Sequence, residues 1–268
     1  MKFALSLPNA APPHRLVEMA VAAEGSGWDG VFLWDHIHLL RVLRLDVHDP
    51  WVVLGAIAHA TTRIRIGAMV TPLPRRRPQK FAKEVVTLDH LSNGRAVVSV
   101  GLGYPPADEF DMFGEDGSIA RRAAMTDEAL EVVTALWTGE AIRHDGAHYY
   151  VDAELRPAPV QRPHPPIWVA CQWPAQGSFQ RALRWDGVLP IFIDGTLLGP
   201  STIAEVSAAA AATGRSGSFD IVASWDRAHS IAAYEDAGAT WLIESRWPDG
   251  DWLAELDAAA RRGPTPTS

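Results

Sequence analysis

The chain has 268 residues, 47% of them hydrophobic and 21% charged, the balance of a soluble globular protein with material for one large core. Its net charge of −8 excludes the basic face that nucleic acid requires, and no stretch approaches the ~18 apolar residues of a membrane span. Cys171 is the only cysteine, so no internal disulfide forms. The N-terminal apolar run is too short for a signal peptide, and the expected compartment is the cytoplasm.

A strand is expected over residues 3–7, then an alanine-rich helix over 13–26 that Gly27 terminates. Residues 30–34 read as a short apolar strand. Asp49-Pro50 reads as an N-cap with proline at the first helical position, opening a helix to about residue 61. The third strand is expected over 63–70, and Pro78 opens a helix to residue 91, followed by a Ser92-Asn93-Gly94 turn. The fourth strand covers 96–101 and a long loop covers 102–116. Residues 119–137 form an amphipathic helix with Ala123, Leu130, Val133 and Trp137 on one face.

Residues 144–151 read as part of a hairpin with Asp145-Gly146 as its turn, and a proline-rich connector follows. Four more strand–helix units complete the chain. Their strands are 167–170, 187–191, 219–223 and 240–243, and their helices 179–184, 201–213, 226–237 and 252–261. Eight strands, each a continuous apolar run followed by a helix, indicate a parallel sheet buried on both faces. Eight such units close into a single (β/α)8 TIM barrel. The segment between the fourth helix and the fifth strand reads as an insertion that covers the barrel top or mediates subunit contacts. One domain is expected over 1–262, with 263–268 a flexible tail.

In this fold the site lies at the C-terminal ends of the strands. The residues there are Pro8-Asn9, Asp35-His36, Thr71, Gly101-Leu102-Gly103-Tyr104, Cys171-Gln172, Phe192-Ile193-Asp194, Ser224-Trp225 and Glu244-Ser245. They include no metal-ligand spacing, no nucleophile elbow and no strand-end lysine, which excludes zinc hydrolases and Schiff-base aldolases. Gly101-Leu102-Gly103 lacks the third glycine of a dinucleotide fingerprint, but it permits close approach of a planar ligand. Small, apolar walls with few catalytic groups suit a cofactor that carries its own chemistry.

Asp35-His36 is the most chemical pair. The imidazole either contacts a cofactor ring or moves a proton near neutral pH, or it satisfies buried backbone. Met69-Val70 is barrel interior or a bulge under a flat ring. Tyr104 caps a ring or fills space, and Cys171 is a reactive thiol or, more in keeping with a lone cysteine past a strand, a small buried hydrophobe. Glu109 reads as a solvated loop carboxylate. The Arg75-Arg76-Arg77 run is either a solvated loop or an anchor for a phosphate or acidic cofactor tail.

Several short segments, in order, carry a resemblance. They run from Gly27-Trp28-Asp29-Gly30-Val31-Phe32 and Trp34-Asp35-His36 through Thr61-Thr62-Arg63-Ile64-Arg65-Ile66-Gly67, Val70-Thr71-Pro72 and Pro74-Arg75-Arg76-Arg77-Pro78. Thr87-Leu88-Asp89-His90-Leu91-Ser92-Asn93-Gly94-Arg95, Val100-Gly101-Leu102-Gly103, Glu109-Phe110, Phe113-Gly114, Glu128-Ala129-Leu130, Leu136-Trp137, Pro159-Val160-Gln161-Arg162-Pro163 and Trp185-Asp186-Gly187 continue it. Together they resemble the bacterial luciferase-like oxidoreductases.

The resemblance implies a barrel that binds FMN or the deazaflavin coenzyme F420 at its C-terminal face and acts on a small organic substrate. It implies either monooxygenation or hydride transfer; the alternative is a non-catalytic flavin-binding or dimer-partner protein of the same fold. It places Asp35 and His36 as catalytic residues on the substrate side of the ring. It places Met69 and Val70 in a bulge behind the ring, often with a cis peptide. Gly101, Gly103 and Tyr104 would contact the ring or its side chain, and Ala170, Cys171 and Gln172 would offer backbone N–H groups to the phosphate. Many members carry glycines where this chain has Cys171-Gln172-Trp173. A homodimer is implied, and no metal.

Overall fold

The computed structural model describes residues 1–191, 196–215 and 217–264. Its strands are β1 (Lys2–Leu7), β2 (Gly30–Leu33), β3 (Arg65–Ala68), β4 (Thr71–Pro72), β5 (Val98–Gly101), β6 (Ala141–Asp145), β7 (Tyr150–Glu154), β8 (Ile167–Gln172), β9 (Gly187–Ile191), β10 (Asp220–Ser224) and β11 (Trp241–Ser245). Nine of them form one parallel sheet in the order β3-β2-β1-β11-β10-β9-β8-β5-β4. β3 and β4 are two halves of one barrel strand. β3 pairs with β2, β4 pairs with β5, and a parallel bridge between Ile66 and Ala96 joins the two ends of the sheet. Eight strand positions therefore close the barrel, as the alternation in the sequence predicts.

The outer layer is α1 (Pro13–Gly25), α2 (Pro50–Ala60), α3 (Pro78–Leu91), α4 (Pro106–Glu109), α5 (Ile119–Leu136), α6 (Gln176–Ala182), α7 (Pro200–Ala212), α8 (Ile231–Asp236) and α9 (Trp252–Arg262). The start signals act as expected. Asp49 accepts a hydrogen bond from the Val52 amide at 3.0 Å, with Pro50 as the first helical residue. After α3 the chain turns through Asn93 and Gly94, both left-handed.

Three features differ from expectation. The third strand breaks after Ala68 and resumes at Thr71. The long loop contains α4 and a 3-10 turn over Asp111–Phe113. The hairpin is longer, with β6 and β7 paired from Ala141–Glu154 to Asp145–Tyr150 around a turn at 146–149. That hairpin leans on α5 and α3. Glu128 of α5 accepts from the His148 and Tyr149 amides, and Tyr149 and Val151 are buried among α3 and α5 residues. The strand-end residues Phe192 to Asp194 and tail residues 265–268 lie outside the described residues.

The barrel interior takes about one side chain per strand: Ala4, Phe32, Val97, Trp168, Leu189, Val222 and Trp241. Phe32, Trp168 and Trp241 pack ring to ring at 5.2–6.1 Å. Three large rings plug the lumen and leave the chemistry to the mouth. Where β3 approaches β5 there is no room for a side chain. A Cβ at Gly67 would fall 2.0 Å from the Val97 carbonyl oxygen. Gly67→Ala is expected to cost about 2–3 kcal/mol in urea unfolding, as overpacking does; an unchanged midpoint would contradict this account of barrel closure.

The opposite end of the barrel is clamped by polar side chains. Buried Arg95 donates to the carbonyls of Ala58, Thr61, Ile64 and Ser92 and to the Thr61 hydroxyl at 2.7–2.9 Å. Gln161 donates through its side chain to Asp89 and to the Ala96 carbonyl, both at 2.7 Å. These contacts satisfy backbone groups left over at strand starts and helix ends.

Candidate active site

The site is built outward from the end of β2. Residues alternate there. Trp34 donates through its indole N–H to Ser6 Oγ at 3.1 Å, while Asp35 points the other way, into Arg75, Arg76 and Trp51. Arg75 bonds Asp35 Oδ1 at 2.9 Å and Arg76 bonds Oδ2 at 2.8 Å. Arg75 also pairs with Glu109, and Arg76 pairs with Glu84 at 3.3 Å. The arginine run is therefore neither a solvated loop nor an open phosphate anchor at its first two positions. Both guanidiniums are held by carboxylates, and only Arg77 stands exposed.

Glu109 is the larger correction. It is 1% exposed, not solvated. Its carboxylate lies 2.9 Å from His36 Nδ1 and accepts from the amides of Ile37 at 3.1 Å and Leu39 at 3.0 Å. The neighbouring Asp108 accepts from the Arg41 amide. One short helix, α4, thus fastens the loop after β5 to the loop after β2. Burial alone would raise the Glu109 pKa. The His36 hydrogen bond, the His36 and Arg75 charges and the Ile37 amide more than offset that, so it lies below the ordinary 4.5. An ionised carboxylate only accepts, so Nδ1 of His36 carries a hydrogen and donates it. That assignment leaves Nε2 as the imidazole's working atom.

A second surface lies where the third strand is interrupted. The Met69–Val70 peptide there is cis. A Cβ added to Gly101 would meet Val70 Cγ1 at 2.8 Å and Ala170 Cβ at 3.3 Å, so Val70, Gly101 and Ala170 form one uncharged face. Met69 packs inside the barrel beneath it. Gly103 has φ +83 and lies against Phe110 and Pro72. Tyr104 and Gln172 are exposed. Cys171 turns its thiol away from the lumen, into the layer that holds Phe179 and Ala182, where Ser178 Oγ donates to it at 3.4 Å. Burial pushes that thiol up, so it is a packing group.

The sequence-derived residues thus fall into two sets: Asp35 and His36 in a charged network, and Met69, Val70, Gly101 and Ala170 in an apolar face. β4 joins them, running directly into the 3-10 turn that presents Arg75. A planar, uncharged ring system fits the apolar face, whose side chains are small. No group of His, Cys, Asp and Glu among the described residues could hold a metal. Among the described residues, no helix is long and apolar enough to cross a membrane.

The luciferase-like monooxygenase family model matches residues 1–240. An F420-dependent glucose-6-phosphate dehydrogenase of Amycolatopsis mediterranei is 29% identical over 239 residues, covering 82% of this chain and 68% of that protein. The chain spans about half the length of several other curated relatives it matches. An F420-dependent secondary alcohol dehydrogenase, solved with an F420–acetone adduct, shares the fold with a TM-score of 0.78 at 19% identity, over 97% of this chain and 99% of that chain. The F420-dependent tetrahydromethanopterin reductase of Methanopyrus kandleri shares it with a TM-score of 0.74 at 19% identity, over 95% and 96%. The family match spans seven of the eight barrel strands and both surfaces of the site, and the chain belongs to the luciferase-like monooxygenase family.

Proposed function

We propose that the chain is an oxidoreductase that uses the deazaflavin F420 to move hydride to or from a carbon of a small organic substrate. The observation that carries this reading is His36, fixed in one tautomer by buried Glu109 at the C-terminal end of β2, with an uncharged face of Val70, Gly101 and Ala170 at the ends of other strands of the same barrel. The relatives named above support F420 over FMN. When bound there, F420 supplies the hydride-exchanging centre that the protein's own side chains lack.

The chain's residues do the rest. Val70, Gly101, Gly103 and Ala170 hold the ring face, Met69 supports it from below, and Tyr104 borders it. The backbone of Ala170, Cys171 and Gln172 holds the phosphate. His36 Nε2 takes the hydroxyl proton of an alcohol, or returns it to a carbonyl oxygen. Asp35 acts at one remove, by fixing Arg75 and Arg76, and Arg75 in turn fixes Glu109. Residues 1–262 act as one barrel domain in the cytoplasm. The working form is a homodimer, supported by exposed Val52 and Leu91 on the groove between α2 and α3. Light scattering should then give twice the 29.2 kDa chain mass.

Gly101→Val tests the cofactor face. It places methyl groups where Val70 and the ring must approach, and it should weaken F420 binding by about tenfold or more, roughly 1.4 kcal/mol. Equal affinity in the two proteins would remove Gly101 from the binding face. Turnover is tested by following F420 absorbance under nitrogen with a panel of alcohols and ketones. Oxygen consumption with reduced FMN, in place of F420 turnover, would instead indicate a monooxygenase.

A further inference from the structure

His36 is bordered by an aromatic wall that neither the charged network nor the cofactor face uses. Trp34 stands edge-on to His36, with ring centroids 5.9 Å apart and planes at 62°. Trp247, from the loop after β11, leans on Trp34 at 5.6 Å and 48°. The wall is rigidly based. Trp34 is tied to Ser6 Oγ, and the Ser6 carbonyl accepts from Ser245 Oγ at 2.7 Å, so β1, β2 and β11 hold it together. Trp247 nonetheless remains 46% exposed. A half-open indole, leaning on the fixed Trp34 that borders the imidazole, offers a flat apolar contact surface. Trp34 lies within the residues that match the family and Trp247 beyond them, so the match does not account for the outer half of this wall.

Most of the charges around the wall are already paired. Arg75 and Arg76 line a cavity of ≈ 350 Å³ beside His36, with Ile37 and His48, but Asp35, Glu109 and Glu84 hold their guanidiniums. On the other side, Arg227 and Arg246 both pair with buried Glu244, and Arg246 pairs again with Glu255. At these four arginines the carboxylates already take part of each guanidinium's donors and neutralise its charge, so a phosphate gains less there than at a free cation. Residues 192–195 contribute no lysine or arginine. The exposed cations left on the loop after β2 are Arg41 and Arg44.

We propose that Trp34 and Trp247 form the substrate wall, and that the substrate is a neutral alcohol or carbonyl compound with a flat apolar body, aromatic or alicyclic, and not a phosphorylated sugar. The chemistry of this proposal rests on the oxidoreductase reading; the binding surface does not. The test is calorimetric titration of the full chain, alone and with F420 added, with acetophenone, 1-phenylethanol, glucose and glucose 6-phosphate. The parent protein should bind the two aromatic compounds in at least one of these forms. Trp247→Ala should weaken that binding about tenfold at an unchanged melting temperature, and Trp247→Phe should restore most of it. Equal affinity in Trp247→Ala, tighter binding of either sugar, or no aromatic binding in either form would overturn the proposal. Failure of F420 to bind while acetophenone still depends on Trp247 would sink the cofactor reading and leave the wall standing.

Discussion

Glu109→Ala is expected to lose about 3–5 kcal/mol of stability in urea unfolding, the usual result of removing one partner from a buried ion pair. The loss has three sources. Arg75 keeps Asp35 but loses its second carboxylate. The amides of part-buried Ile37 and buried Leu39 lose their acceptor. The loop after β5 also loses its fastening to the loop after β2. Glu109→Gln preserves the shape and some of the amide contacts, and should cost less. The pH dependence separates charge from shape. The Glu109 pKa is lowered in the folded protein, so its contribution is fully present above the unfolded value and fades as pH falls through the lower folded value. The stability gap between the parent protein and Glu109→Gln should therefore be widest near neutrality and narrow on acidification below about pH 4. A gap independent of pH would show that the carboxylate charge contributes nothing.

His36→Ala should lower kcat/KM by about 10²–10⁴ and leave cofactor affinity unchanged, because the imidazole is assigned to the proton and not to holding the ring. His36→Asn is the sharper variant. Its amide N–H can still reach Glu109, so the loop clasp survives while the proton-carrying atom is lost. If both variants fall equally in turnover and only Ala loses stability, the two roles of this residue are separated. If His36→Asn keeps near-parental turnover, His36 is a structural anchor and the proton travels elsewhere.

The barrel was legible in the sequence because each strand–helix unit is local. Asp49-Pro50 announces α2, Pro78 announces α3, and Ser92-Asn93-Gly94 ends it, each through contacts within a few residues. The break in the third strand was not legible as a break. Residues 63–70 read as one continuous apolar strand, and the close approach of Gly67 to Val97 that shapes the turn joins separate units. The family-like segment around Asp89 and Arg95 was visible, but its purpose was not. Its buried side chains clamp the end of the barrel opposite the mouth, so that part of the resemblance reports the fold and not the chemistry.

Glu109 was misread for a physical reason. Its partners His36 and Arg75 lie 73 and 34 residues away, and a carboxylate in a polar loop looks solvated until the loops are brought together. The same holds for Arg75 and Arg76, whose partner Asp35 lies on another loop. A charge run followed some thirty residues later by an Asp-Glu pair was the available signal. One sequence does not say that the two meet.

The account's central claim is that this mouth holds a deazaflavin ring over Val70, Gly101 and Ala170, next to His36. Its most direct test is titration of the folded apo-protein with F420 and with FMN, followed by fluorescence and thermal stability. The account predicts saturable, micromolar or tighter F420 binding, a rise in melting temperature, weaker binding of FMN, and F420 binding about tenfold or more weaker in Gly101→Val. Preference for FMN would overturn the choice of F420 and hydride transfer with it. Binding of neither at high micromolar concentration, by a protein shown to be folded, would contradict the account and leave a luciferase-like barrel without its cofactor.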